Sequence, residues 1–142
     1  MTETNINPGT AGTDKKQLNI LVADDNAINL HLINTLLTRL GNKVDAVRDG
    51  AAAVEKFSNN IYDVILMDVM MPVMDGITAS IEIRKIEAER KTEAGRQVKI
   101  IAVTANAYED DRQEYIKAGM NYYISKPLKF NELQNMLNSL CL

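Results

Sequence analysis

Residues 18–41 read LNILVADDNAINLHLINTLLTRLG, and this stretch sets the pattern for the rest of the chain. Its first six residues are mostly apolar and partly β-branched, which predicts a short buried strand, and the run stops at two adjacent acids, Asp24 and Asp25. From Asn26 the spacing changes to that of a helix. Ile28, Leu32, Ile33, Leu36, Leu37 and Leu40 fall on one helical face, and Gly41 suits the cap that ends it. The stretch is therefore a βα unit.

The alternation recurs four more times. KVDAV (43–47) reads as a strand, with Asp49 as N-cap of the helix GAAAVEKFSN (50–59). YDVILMD (62–68) is the third strand, and after Pro72 and Gly76 the segment ITASIEIRKIEAERK (77–91) is helical. A polar loop with Gly95 leads to VKIIAVT (98–104), a helix in NAYEDDRQEYIKAG (106–119) and a short strand, NYYIS (121–125). Past Lys126 and Pro127, a last helix carries Phe130, Leu133, Met136, Leu137 and Leu140 on one face. Short apolar strands separated by amphipathic helices imply an α/β fold. Its doubly wound, five-stranded parallel sheet is covered on both sides and joined by right-handed crossovers. Residues 1–17, MTETNINPGTAGTDKKQ, are polar and offer almost no apolar surface to offset the entropy of ordering them, so they read as a disordered linker or remnant ahead of a domain at 18–142.

Composition narrows the functions available. The chain has 142 residues, 46% of them hydrophobic and 25% charged, which suits one globular domain with a real core. A formal net charge of −3 and basic clusters no longer than Arg84-Lys85 give no footprint for nucleic acid or for an anionic membrane. The single cysteine, Cys141, permits neither an intrachain disulfide nor a cysteine zinc site, which fits a reducing compartment. With no bilayer-length apolar run and no signal-peptide pattern, the expected location is cytoplasmic.

Ligands of an open parallel α/β sheet bind beyond the carboxyl ends of its strands. Strand one ends at Asp24 and Asp25, strand three at Asp68 and strand four at Thr104, and strand five runs into Lys126. A lone carboxylate at the end of an oily strand, as in ILMDVMMPVMDG (65–76), is too costly to keep charged without a partner or a metal. Three acids at one rim would repel one another unless they hold a divalent cation, and an all-oxygen set with open positions suits Mg²⁺. Lys126 and Thr104 then make sense as ligands of a phosphoryl group, and Asp68 as a carboxylate nucleophile towards phosphorus.

At this point the residues resemble the receiver domain of two-component response regulators. The resemblance covers roughly residues 18–142 and rests on VADDN (22–26), MDVMMPVMDG (67–76), VTANA (103–107) and SKPL (125–128), in the family's order and spacing. It implies a flavodoxin-like (βα)5 fold with strand order 2-1-3-4-5. It also implies that Asp68 accepts a phosphoryl group from a phosphohistidine on a histidine kinase or a histidine phosphotransfer protein. Asp25, Asp24, Asp68 and the main-chain carbonyl of Met70 would hold Mg²⁺, and Thr104 and Lys126 would hold phosphoryl oxygens. Tyr123 matches the aromatic switch position that acts with Thr104, Ala105 the small residue beside the phosphoryl group, and the Lys126-Pro127 bond would be cis. The wording of the motifs, DDNAIN, MPVMDG and TANA, is most similar to receivers attached to hybrid sensor kinases. A fragment of such a kinase and a stand-alone relay protein both stay open, and the domain is expected to be a monomer in isolation.

One position departs from the commoner pattern: Met70 stands two residues after Asp68 where a polar side chain is usual, with Asn106 two residues after Thr104. A thioether cannot orient an attacking water, so steric access past Met70 is expected to govern hydrolysis of the phosphorylated form. Rival readings are weaker. An aspartate-nucleophile phosphatase of the haloacid-dehalogenase type would want an acid at position 70 and a cap domain. A flavodoxin-like binding module would want a Gly- or hydroxyl-rich loop where the acidic ADDN stands. A degenerate receiver used only for docking fits poorly with the intact acidic set. His31 reads as a structural or surface residue, Tyr122 as a plain strand residue and Asp75 as a turn residue. Met67, Met70, Met71 and Met74 read as fillers of irregular core and loop gaps.

Overall fold

The structure, a computed structural model, describes residues 17–105 and 109–140. Five strands alternate with five helices: β1 (Asn19–Ala23), α1 (Ala27–Arg39), β2 (Lys43–Val47), α2 (Gly50–Asn59), β3 (Val64–Asp68), α3 (Gly76–Glu89), β4 (Lys99–Thr104), α4 (Glu109–Lys117), β5 (Tyr122–Ser125) and α5 (Phe130–Ser139). A 3-10 turn at Ala94–Arg96 occupies the polar loop before β4. All strands pair in parallel in the order β2-β1-β3-β4-β5. This is the doubly wound, flavodoxin-like arrangement and strand order that the family resemblance implied. Its order reverses beside β1, so the rim between β1 and β3 is where the fold offers a crevice.

The central strand β3 is buried along its whole length, as expected for a strand covered on both faces. On one side Ala53 and Phe57 of α2, Ala79 and Ile83 of α3 and Tyr115 of α4 pack with Leu21, Ile65 and Ile100. On the other, Ile33 and Leu37 of α1 and Leu133 and Leu137 of α5 pack with Ile20, Leu66 and Ile101. The caps follow from local chemistry. Asn26 accepts from the backbone N–H groups of Ile28 and Asn29, and Asp49 accepts from that of Ala52. Gly41, at φ +92°, takes the left-handed turn that ends α1.

Three expectations need correction. The apolar face of α1 is narrower than its spacing suggests: Ile33 and Leu37 are buried, but Ile28 is 80% and Leu32 51% exposed, because the sheet covers only one edge of that wide stripe. Asp75 is not merely a turn residue; its carboxylate caps α3 by accepting from the Thr78 N–H at 2.7 Å. Met67 fills the core and Met71 and Met74 are partly buried, but Met70 is 77% exposed and fills no gap.

The turn between β3 and α3 leaves no room for a side chain at its end. A Cβ on Gly76 would lie 2.2 Å from the carbonyl oxygen of Asp68, and the Gly76 N–H donates to the Val69 carbonyl at 2.9 Å. Glycine therefore lets α3 start against the strand end that carries Asp68.

Candidate functional site

The strand ends bring the predicted acids together. Asp24 and Asp25 follow β1 and Asp68 ends β3, and one carboxylate oxygen from each lies within 4.8 Å of the others. Asp24 and Asp68 are buried, at 2% exposure each, whereas Asp25 faces solvent. Local bonds fix the loop that carries the pair. Asp24 Oδ1 accepts from the Asn26 N–H at 2.8 Å, and the Arg48 guanidinium clasps the Asp25 carbonyl at 2.9 and 3.2 Å.

Lys126, just beyond β5, reaches across the rim, with Nζ 3.0 Å from Asp68 Oδ2. The other carboxylate oxygen of Asp68 accepts from the Met70 N–H at 3.3 Å. Burial pushes the Asp68 carboxyl above the ordinary carboxylate range; Lys126 pulls it back down, and nearby Asp24 pushes it up again. The Lys126 N–H also donates to the Thr104 carbonyl at 2.8 Å, so the β4 and β5 ends are stitched together, and Lys126-Pro127 is cis.

The remaining predicted residues fall around this centre. Thr104 closes β4 and is 5% exposed; Ala105, next to it, is exposed. Tyr123 is half-buried on β5, its ring centroid 5.1 Å from the Arg112 guanidinium carbon on α4. Met70 turns its thioether to solvent beside Asp68. Asn106 lies outside the described residues. His31 and Tyr122 are exposed, in keeping with the plain roles read for them.

One residue escaped the sequence reading. Tyr115 of α4 is buried and its hydroxyl donates to Thr104 Oγ1 at 3.1 Å. The two stand eleven positions apart, with no motif to join them. The available signal was an aromatic with a polar handle on the inward side of a helix next to β4.

Chemically, the site offers a cluster of hard oxygen donors beside one ammonium. Such a donor set fits a small divalent cation, and the buried carboxylates of Asp24 and Asp68 are groups whose mutual repulsion a cation would relieve.

Comparison with known proteins agrees with this geometry. Residues 20–138 match the model of the response regulator receiver domain, and the chain belongs to that family. Hybrid signal transduction histidine kinase I of Dictyostelium discoideum is 37% identical over 125 residues, which is 84% of this chain but only 7% of that kinase's length. Among solved structures, the receiver domain of sensor histidine kinase PA1611 from Pseudomonas aeruginosa PAO1 is 44% identical with a TM-score of 0.73, covering 87% of this chain and 96% of that one; it has a magnesium ion coordinated in its active-site cleft. The receiver domain of the Saccharomyces cerevisiae response regulator Ssk1, crystallised with the histidine phosphotransfer protein Ypd1, is 27% identical with a TM-score of 0.80, covering 86% of this chain and 87% of that one. Among the described residues, no helix is long and apolar enough to cross a membrane.

Proposed function

We propose that Asp68 is the phosphoacceptor of this receiver domain, taking a phosphoryl group from a phosphohistidine on a histidine kinase or histidine phosphotransfer protein. The observation that carries this reading is the placement of Asp68: a buried carboxylate among two other acids, with Lys126 Nζ at 3.0 Å. In the transfer, an Asp68 oxygen forms a bond to phosphorus while the phosphorus–nitrogen bond of the donor breaks, and the imidazole leaves with the electron pair. Positioning and electrostatics carry most of such a step. Lys126 balances charge on the transferring group, the Thr104 hydroxyl donates to one of its oxygens, and the small Ala105 leaves it room.

Asp25, Asp68 and the Met70 carbonyl, with Asp24 directly or through water, would hold Mg²⁺, which would supply positive charge at a rim shared by three acids and a phosphoryl group. After transfer, Thr104 turns towards the new dianion and the Tyr123 ring follows into the space released, which alters the surface formed by α4, β5 and α5. Met70, exposed beside Asp68, borders the path of the hydrolytic water. The chain turns over no separate substrate on this reading; its chemistry is limited to its own phosphorylation and dephosphorylation.

A donor protein must bring its histidine to the strand-end rim, and the side chains bordering that rim suit a protein surface. A cleft of about 320 Å³ runs from Asp24 and Lys126 past Leu32, Pro127 and Leu128, with exposed Ile28 on the same helix as Leu32. Ile28 and Leu32 would then be covered by the donor. The receiver domain is taken as residues 18–142 with 1–17 as a linker, facing the cytoplasm and monomeric alone. Incubation with acetyl phosphate and MgCl₂, followed by intact mass, tests the central claim. Wild type should gain one phosphoryl group and Asp68→Asn none; equal labelling of both would remove Asp68 from its role.

A further inference from the structure

We propose that Tyr115 is a positioning residue for Thr104: its hydroxyl ties the Thr104 hydroxyl to α4 and opposes the turn of Thr104 towards a phosphoryl group on Asp68. The proposal rests on the reading of Asp68 as phosphoacceptor and adds a restraint to it.

The Thr104 main chain has little freedom. β4 is paired on both sides, with Val103 opposite Asp68 of β3 and Thr104 opposite Ser125 of β5. The Val103 carbonyl accepts from the Val69 N–H at 3.1 Å, and the Thr104 carbonyl from the Lys126 N–H at 2.8 Å. Any approach of the hydroxyl to Asp68 is therefore mainly a rotation about χ1, which a β-branched side chain makes between a few discrete positions. In the conformation described here Thr104 Oγ1 accepts from the Tyr115 hydroxyl at 3.1 Å, and both residues are 5% exposed. Rotation stretches or breaks that bond unless α4 moves with it. Bonds between buried neutral groups contribute modestly but measurably to such an equilibrium.

α4 also holds the second switch residue. Arg112, three residues before Tyr115 and hence on a neighbouring part of the helix surface, lies over the Tyr123 ring. A groove of about 280 Å³ lies between the two tyrosines and is lined by Arg112, Tyr115, Met120 and Tyr123. One helix thus holds Thr104 through a hydroxyl and Tyr123 through a cation, with space beside it into which side chains can shift. The signal leaves the site through α4, and Tyr115 sets the resistance that the phosphoryl group must overcome.

The test titrates the full chain with beryllofluoride, a phosphoryl mimic, at saturating MgCl₂, following the amide resonances of Thr104 and α4 by NMR. Tyr115→Phe removes one oxygen and keeps the ring, and Thr104→Val removes the acceptor with almost no change of shape. Tyr115→Phe should bind beryllofluoride roughly 2- to 10-fold more tightly than wild type, the range expected for loss of one neutral hydrogen bond that opposes binding. Its α4 resonances should move less on saturation. In a Thr104→Val background the same substitution should change affinity less than twofold, an outcome that a general packing role for Tyr115 would not produce. Unchanged or weaker binding by Tyr115→Phe, or an equal gain in the Thr104→Val background, overturns the proposal and leaves Asp68 as phosphoacceptor untouched. Failure of wild type to bind the mimic overturns both.

Discussion

Replacing Gly76 with alanine sets two opposing effects against each other at the strand end that carries Asp68. Alanine is the better helix former, by up to about 1 kcal/mol, and Gly76 is the first residue of α3. Against this, its Cβ would sit 2.2 Å from the Asp68 carbonyl oxygen, 3.0 Å from the carbonyl carbon and 2.8 Å from Met67 Cγ. Main chain cannot swing aside as a side-chain tip can. Restoring ordinary carbon–oxygen contact needs α3 and β3 to part by roughly 1 Å, at the upper end of the 1–3 kcal/mol typical of overpacked cores. The clash wins by about 2 kcal/mol, which should lower the thermal midpoint by roughly 6–10 °C for a domain of this size. Because the displaced group is the Asp68 main chain, labelling by acetyl phosphate should fall as well. Circular dichroism melting and intact mass measure the two effects on one sample. A midpoint within 2 °C of wild type together with full labelling would refute the claim that the close start of α3 fixes the acceptor.

Other substitutions probe separate parts of the molecule. Burial raises the Asp68 carboxyl above its unfolded value, so the folded metal-free chain holds that proton more tightly; stability gained from protonation is present at low pH and lost as pH rises through the folded value. Asp68→Asn should therefore be more stable than wild type in urea and EDTA at pH 8, with the advantage shrinking towards pH 5. Glu87 is buried, 2.6 Å from Arg84 Nη1 and 2.7 Å from the Val98 N–H, so Glu87→Ala should cost about 3 kcal/mol in urea unfolding while leaving the strand-end rim intact. Met70→Asn puts an amide where an exposed thioether stands, and release of inorganic phosphate from the labelled protein should speed up several-fold; an unchanged rate would remove Met70 from control of the lifetime.

The parts of this molecule that were legible in the sequence are those governed by local periodicity. β2 and α2 fall at their predicted limits, 43–47 and 50–59, because turn residues bound them on both sides. β3 starts two residues later than YDVILMD suggests: the ladder with β1 begins at Val64, and just before it the Asp63 side-chain carboxylate accepts from the Asn19 N–H at 2.8 Å. The strand-end acids were legible because each closes a strand whose direction the alternation determines. Burial within a face was less so. Ile28 and Leu32 have the spacing of core residues yet lie beyond the edge of the sheet, and Phe130 is 38% exposed at the start of α5. Tyr115 was invisible for a related reason, since its partner is set by where α4 docks.

The Arg84 guanidinium bonds the Gly119 carbonyl at 2.7 and 3.0 Å and Asn121 Oδ1 at 2.9 Å, pinning the chain just past the end of α4 to α3. That pin makes a fulcrum. At 1.5 Å of rise per residue, Tyr115 stands about 6 Å from Gly119 and the first turn of α4 about 15 Å, so a displacement of about 1 Å at Tyr115 becomes about 2.5 Å at Glu109. A tilt about that pin would enlarge, by lever arm alone, a side-chain rotation too small to be felt at a protein surface, and Arg84→Ala, which removes the pin, should let the helix slide instead of tilt.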